Sequence, residues 1–132
     1  MKSISYDYIN VGDEQNNAFI FIHGWQGNKD SFKSISKLLK INNCRFYFPE
    51  APYLIDGNKK KRSWAIQISD NHWETDLSKS LFLNFLEGIV FKKFHPKNVF
   101  IMGFSQGAAV CLNFILSLEY SFGGIFPIAG FS

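Results

Sequence analysis

Apolar residues in this chain come in short unbroken runs, separated by stretches where they recur every three or four positions. Ala18-Phe19-Ile20-Phe21-Ile22 is the first unbroken run, and it breaks at His23-Gly24. A run that does not alternate is the pattern of a strand covered on both faces by helices. Upstream, Ile4, Tyr6 and Tyr8 alternate with polar residues and predict an N-terminal edge strand that turns near Gly12. After Gly27-Asn28-Lys29-Asp30, the positions Phe32, Ile35, Leu38 and Leu39 have helical spacing, with lysines on the opposite face. They predict an amphipathic helix with Asp30 as its N-cap.

A second strand is predicted from Arg45 to Phe48, stopped by Pro49, and a loop through Pro52, Gly57 and the basic run Lys59-Lys60-Lys61-Arg62. That run reads as a solvated loop. From Trp73 to Phe94, the sets Leu77, Leu81, Phe85, Ile89 and Phe82, Leu86, Val90 form one broad apolar stripe, a long helix ended by Pro96. Val99-Phe100-Ile101-Met102 is again apolar throughout and predicts a strand; an apolar helix follows from Gln106 to Leu118, and a last strand from Gly124 to Ile128. Strands that alternate with helices imply an α/β fold with a mostly parallel sheet and right-handed crossovers.

Composition narrows the class. The chain has 132 residues, 46% of them hydrophobic, which is enough for one substantial core and short for two domains. Fourteen basic against eleven acidic residues leave a net charge of +3, well short of a nucleic-acid binder's footprint. No run approaches the ~18 apolar residues of a membrane span, and Met1-Lys2-Ser3-Ile4-Ser5 lacks the apolar core of a signal peptide, so the expected location is cytoplasmic. Cys44 and Cys111 fall in apolar surroundings and read as reduced, buried thiols. The three histidines show no ligand spacing, so no metal is expected.

The sharpest chemical signal is Gly103-Phe104-Ser105-Gln106-Gly107, a G-x-S-x-G set between a predicted buried strand and a helix. A serine used as a nucleophile there needs a strained turn that lifts its hydroxyl clear of the sheet, and side chains two positions either side would collide. Gly103 and Gly107 remove those collisions. Ser105 then sits at a helix N-terminus, where orphan N–H groups and the helix dipole favour a developing negative charge. The N–H of Gln106 is the natural first donor. Phe21-Ile22-His23-Gly24-Trp25-Gln26-Gly27 places a His-Gly turn after an earlier central strand, a loop able to supply a second donor. On these residues alone, a strand-to-helix turn without catalysis also stays open.

The order His23-Gly24, then Phe48-Pro49-Glu50-Ala51-Pro52, then Arg62-Ser63-Trp64, then Gly103-Phe104-Ser105-Gln106-Gly107-Ala108-Ala109 resembles the phospholipase/carboxylesterase family, which includes the acyl-protein thioesterases. The resemblance runs from Phe19 to the C-terminus. It implies an α/β-hydrolase-like three-layer sandwich truncated at its C-terminus, with residues 1–132 as a single partial domain. It also implies Ser105 as nucleophile, backbone N–H groups of Gln106 and Trp25 as the oxyanion hole, carboxylic esters or thioesters as small-molecule substrates, and no cofactor or metal. Two departures stand out. Trp64 is followed by Ala65 and Ile66, where the family commonly shows an aromatic and then an acidic residue. After Ser105 there is no Asp, no His and only Glu119, although in this fold the catalytic acid and histidine follow the nucleophile. Two expectations follow: an ester or thioester hydrolase whose acid and histidine lie outside this chain, or a degenerate, non-catalytic module that binds an acyl ligand or a protein partner.

Overall fold

The computed structural model describes residues 3–128. Strand β1 (Tyr6–Val11) is followed by β2 (Asn17–Ile22), one helical turn α1 (Ile35–Leu38) and β3 (Cys44–Pro49). Two hairpins come next, β4 (Tyr53–Ile55) with β5 (Asn58–Ser63), and β6 (Ile66–Ser69) with β7 (His72–Glu74). Helix α2 (Asp76–Phe85) continues into a π-helical turn at Leu86–Val90, and β8 (Val99–Phe104), α3 (Gln106–Asn113) and β9 (Gly124–Ile128) complete the order.

The main sheet has the order β1-β3-β2-β8-β9. Only β1 is antiparallel, paired along β3 from Tyr6↔Pro49 to Val11↔Cys44; the other neighbours run parallel. All four parallel strands therefore end at one edge, where ligand sites of open α/β sheets form. The segments His23–Lys29, Glu50–Pro52 and Ser105 all emerge there.

Alternation along the strands divides the core. Ala18, Ile20 and Ile22 of β2 face a layer built on α2 and α3, with Trp64, Phe82, Phe85, Leu86, Val90 and Ile115. Phe21, Phe46 and Phe48 face the other way, against Phe32, Ile35 and Leu39. The architecture is thus the expected three-layer α/β sandwich with a mostly parallel sheet. Cys111 lies in the first layer and Cys44 in the second, both buried and free. Burial pushes the Cys111 thiol up to about 12. Among the described residues no helix is long and apolar enough to cross a membrane.

Several elements differ from the sequence-based expectation. The helix expected from Asp30 is only the turn Ile35–Leu38, preceded by Ser34 at the cap position, and Leu38 is 77% exposed. Side chains capture the backbone instead: Asn28 Oδ1 accepts the Asp30 N–H at 2.8 Å, Ser31 Oγ accepts the Asn28 N–H at 2.9 Å, and Ser36 Oγ donates to the Lys33 carbonyl at 2.6 Å. The basic run lies on β5 rather than in a loop. Its hairpin turns at Asp56-Gly57, both with positive φ (52° and 70°), the Asp-Gly pairing that matches strand twist.

Trp73 also leaves the expected long helix and belongs to β7; α2 begins only at Asp76, where Glu74 Oε1 accepts the N–H groups of Thr75 and Asp76 at 3.0 and 2.8 Å. At the far end, α3 stops at Asn113 and a 3₁₀ turn at Ile115–Ser117 completes the stretch expected as helix.

Candidate active site

Ser105 occupies the turn between β8 and α3 with φ 55° and ψ −112°, a conformation costly to any residue with a Cβ. Its N–H donates to the Ile128 carbonyl at 3.0 Å, so the end of β9 braces the turn. The two glycines clear different obstacles. A Cβ on Gly103 would stand 2.2 Å from the Gly107 carbonyl oxygen, and one on Gly107 would stand 2.3 Å from the Ile22 carbonyl oxygen. The second approach shows that α3 starts directly against the end of β2. The first N–H groups of a helix have no intrahelical acceptor, so a negative charge placed before α3 meets donors already aimed at it.

The loop after β2 lies against the same turn: a Cβ on Gly24 would be 3.2 Å from the Phe104 carbonyl and 3.3 Å from the Ser105 Cβ. The loop is held from β5. The Gln26 N–H donates to the Arg62 carbonyl at 2.9 Å, and the Arg62 N–H donates to the Gly27 carbonyl at 2.9 Å. Asn28 Nδ2 donates to the Lys60 carbonyl at 2.8 Å. With the Gly27 N–H bonded to Gly24 at 3.1 Å, the two N–H groups that follow Trp25 are engaged inside the protein. Trp25 itself is half exposed.

His23 is buried at the root of this loop. Its Nε2 accepts the Ala51 N–H at 3.0 Å, so its proton is on Nδ1, which donates to the Gly24 carbonyl at 2.7 Å. Burial holds its pKa below the ordinary histidine value. The ring of Trp64 lies against it, 5.2 Å between centroids, and Trp64 Nε1 donates to the His23 carbonyl at 2.9 Å. Glu50, also buried, accepts the Lys29 N–H at 3.2 Å and pairs with the Arg62 guanidinium at 3.6 Å. The four sequence segments that carry the resemblance thus converge on one hydrogen-bonded cluster.

A family model described as Phospholipase/Carboxylesterase matches residues 7–132. The chain belongs to the phospholipase/carboxylesterase family. It is 28% identical over 133 residues to acyl-protein thioesterase 1 of Saccharomyces cerevisiae and 29% identical over 136 residues to that of Debaryomyces hansenii. These alignments cover 86% and 87% of this chain and 57% of each yeast protein, so the chain spans a little over half the length of the curated relatives it matches. Among solved structures, esterase PE8 is similar at TM-score 0.80 and 18% identity, over 97% of this chain and 64% of that one. The Bacillus cereus carboxylesterase is similar at TM-score 0.72 and 15% identity, over 98% and 64%. Those two likenesses concern the fold.

Within this family frame, Ser105, Gln106, Gly24 and Trp25 share one end of the sheet. The other candidates of charge do not join them. His95 caps the 3₁₀ turn before β8, its Nδ1 accepting the Lys97 N–H at 3.2 Å. It therefore sits a strand's length from Ser105, roughly 20 Å for six residues. His72 is exposed on β7, 3.8 Å from Glu74. Glu119 follows α3 and its 3₁₀ turn, towards the opposite end of the sheet. Sequence reasoning gave Gln106 a backbone role only. The structure adds its side chain, whose Oε1 accepts the Trp64 N–H at 2.9 Å while Nε2 donates to Ser63 Oγ at 2.9 Å.

Proposed function

We propose that this chain is the nucleophile-bearing part, within a single domain, of a serine hydrolase for carboxylic esters or thioesters. The observation that carries the reading is the strained Ser105 turn, held open by Gly103 and Gly107 at the N-terminus of α3. Strain at a non-glycine residue with an exposed neighbouring loop is characteristic of a site selected for chemistry. Family membership and the thioesterase names of the yeast relatives support the same substrate class.

In the proposed reaction Ser105 Oγ attacks the carbonyl carbon and its proton passes to a histidine. The tetrahedral oxyanion accepts hydrogen bonds from the backbone N–H groups of Gln106 and Trp25. The alcohol or thiol leaves with the proton, and water then hydrolyses the acyl-enzyme by the same route in reverse. His23 is not that histidine: both its nitrogens are committed to Ala51 and Gly24. Within these 132 residues Glu119 is the one acidic residue after Ser105 and no histidine follows it, so no acid or base is assigned to Ser105 among them.

The test is hydrolysis of p-nitrophenyl and thioester substrates by the native gene product, whose intact mass is compared with that of this chain. Ser105→Ala should lower kcat by at least about 10⁴. An unchanged rate would remove Ser105 from the mechanism. A native mass equal to that of these 132 residues would favour the non-catalytic, acyl-binding module, a reading motivated by the commitment of His23.

A further inference from the structure

Both ring nitrogens of the buried His23 are spent on backbone groups: Nε2 accepts the Ala51 N–H at 3.0 Å and Nδ1 donates to the Gly24 carbonyl at 2.7 Å. The same carbonyl accepts the Gly27 N–H at 3.1 Å, which closes a β-turn from Gly24 to Gly27. This turn sits directly on the ring, since a Cβ on Gly27 would stand 3.0 Å from His23 Nδ1. Gln26 takes φ 69° within it, a region that favours glycine, and its N–H donates to the Arg62 carbonyl at 2.9 Å. The Trp64 ring packs on the imidazole at 5.2 Å between centroids. An apolar side chain would fill this buried place without desolvating an imidazole, so what distinguishes histidine here is its two bonds.

The Gly24 carbonyl and the Trp25 N–H belong to one peptide group, trans and planar, with the two bonds on opposite sides of it. Fixing the carbonyl therefore fixes the N–H. The carbonyl points into the turn, towards His23 and Gly27, and the N–H points out of it. Gly24 lies beside the serine turn, its Cβ position 3.3 Å from the Ser105 Cβ and 3.9 Å from the Gln106 nitrogen. We propose that His23 is a positioning residue: through the Gly24 carbonyl, its Nδ1–H sets the direction of the Trp25 N–H, the second donor to the oxyanion. The use of that N–H at Ser105 rests on the hydrolase reading, whereas the orientation of the peptide does not. Two donors on the carbonyl also polarise the peptide and strengthen its N–H as a donor. The Nε2 bond has a separate task, holding the ring against the chain that leaves β3 at Ala51.

Two substitutions separate the two bonds. In His23→Asn the side-chain amide nitrogen stands where Nδ1 stood and still donates to Gly24, while the acceptor for Ala51 is lost. In His23→Gln the side-chain carbonyl reaches the Nε2 position and keeps Ala51, while the donor to Gly24 is lost. The experiment measures both variants of the native gene product by ester hydrolysis and by ¹⁵N relaxation of the Trp25 amide. Loss of an oxyanion donor costs roughly 10²–10³ in kcat, so misdirecting one in His23→Gln should cost at least about tenfold, in kcat rather than KM, with rescue to within about threefold of the parent in His23→Asn. The Trp25 order parameter should fall from about 0.85 to below about 0.6 in His23→Gln alone. An ordered Trp25 amide in a folded His23→Gln, or equal losses in both variants, overturns the proposal. If Ser105→Ala leaves the esterase rate unchanged, the hydrolase reading falls and the Trp25 amide alone decides this one. If neither variant folds, the ring nitrogens of the unmodified protein decide. A proton on Nδ1 with none on Nε2, and a scalar coupling from Nδ1 to the Gly24 carbonyl carbon, support the assignment; the opposite tautomer or a missing coupling overturns it.

Discussion

The side-chain carbonyl of Gln106 accepts the backbone N–H of Trp64 at 2.9 Å, across 42 residues of sequence. This bond joins the residue after Ser105 to the end of β5, the strand whose Arg62 holds the loop carrying Trp25. The same amide reaches Ser63, and the Trp64 indole reaches His23. The two N–H groups proposed to meet an oxyanion therefore belong to segments tied through one short stretch, Arg62–Trp64. Preorganisation of this kind avoids reorganisation when charge develops.

Gln106→Met keeps the length of the side chain and removes both hydrogen bonds. It leaves the partly buried Trp64 N–H without its acceptor, which costs about 1–3 kcal/mol. Urea unfolding should show that loss as a lower midpoint at unchanged slope. A change below about 0.5 kcal/mol, the size of an ordinary surface substitution, would mean the tie carries no stability.

Gly103 and Gly88 form a matched pair for substitution. Gly103→Ala drives a Cβ to 2.2 Å from the backbone of Gly107, so the turn must shift, and a loss of at least about 3 kcal/mol is expected. Around Gly88, in the π-helical turn, a Cβ meets nothing within 4 Å. Gly88→Ala should therefore stabilise by about 0.5–1 kcal/mol through helix propensity alone. Thermal melts of the two variants on opposite sides of the parent confirm the contrast; two equal shifts contradict it.

Strands β2 and β8 were legible in the sequence because both their faces are buried or half-buried. The runs at 18–22, 99–102 and 124–128 read as strands and are β2, β8 and β9, with β2 one residue and β8 two residues longer; β9 was legible from its apolar run although Phe126 and Ile128 are exposed. The serine turn was legible as well from its bracketing glycines, although only Gly103 answers to a neighbour four residues on, Gly107, while Gly107 clears the Ile22 carbonyl of a strand distant in sequence. What the sequence hid is what long-range hydrogen bonds decide. Nothing local in Arg62-Ser63-Trp64 announces that these residues hold the loop at Gly27 and the amide of Gln106. The hairpin at Asp56-Gly57 was written in its turn residues and masked by the lysines that follow. The helix expected at Asp30 failed because Asn28, Ser31 and Ser36 offered the backbone other partners.

Ser105 should show strain as a measurable energy. Ser105→Gly and Ser105→Ala both remove the hydroxyl, but only glycine accepts φ 55° and ψ −112° without a Cβ penalty. The glycine variant should be more stable than the alanine variant by about 1–2 kcal/mol, the reverse of the usual order. Equal stabilities would show that the turn stores no strain.

His23 sets a pH dependence whose sign follows from its burial. Its folded-state pKa lies below the ordinary value of about 6.5 that it regains on unfolding. Above that pH both states hold a neutral ring and the group contributes no slope. Below it the unfolded chain takes up a proton that the folded protein refuses, so stability falls as the pH drops towards the folded pKa, by at most about 1.4 kcal/mol per pH unit. Protonation in place would also cost the Nε2 acceptor of the Ala51 N–H. His23→Gln removes the titration, so the variant should be less stable than the parent at pH 7.5 and should lose less on going to pH 5.5. Denaturant unfolding of both proteins at the two pH values measures this, and parallel losses would show that His23 is not the group responsible.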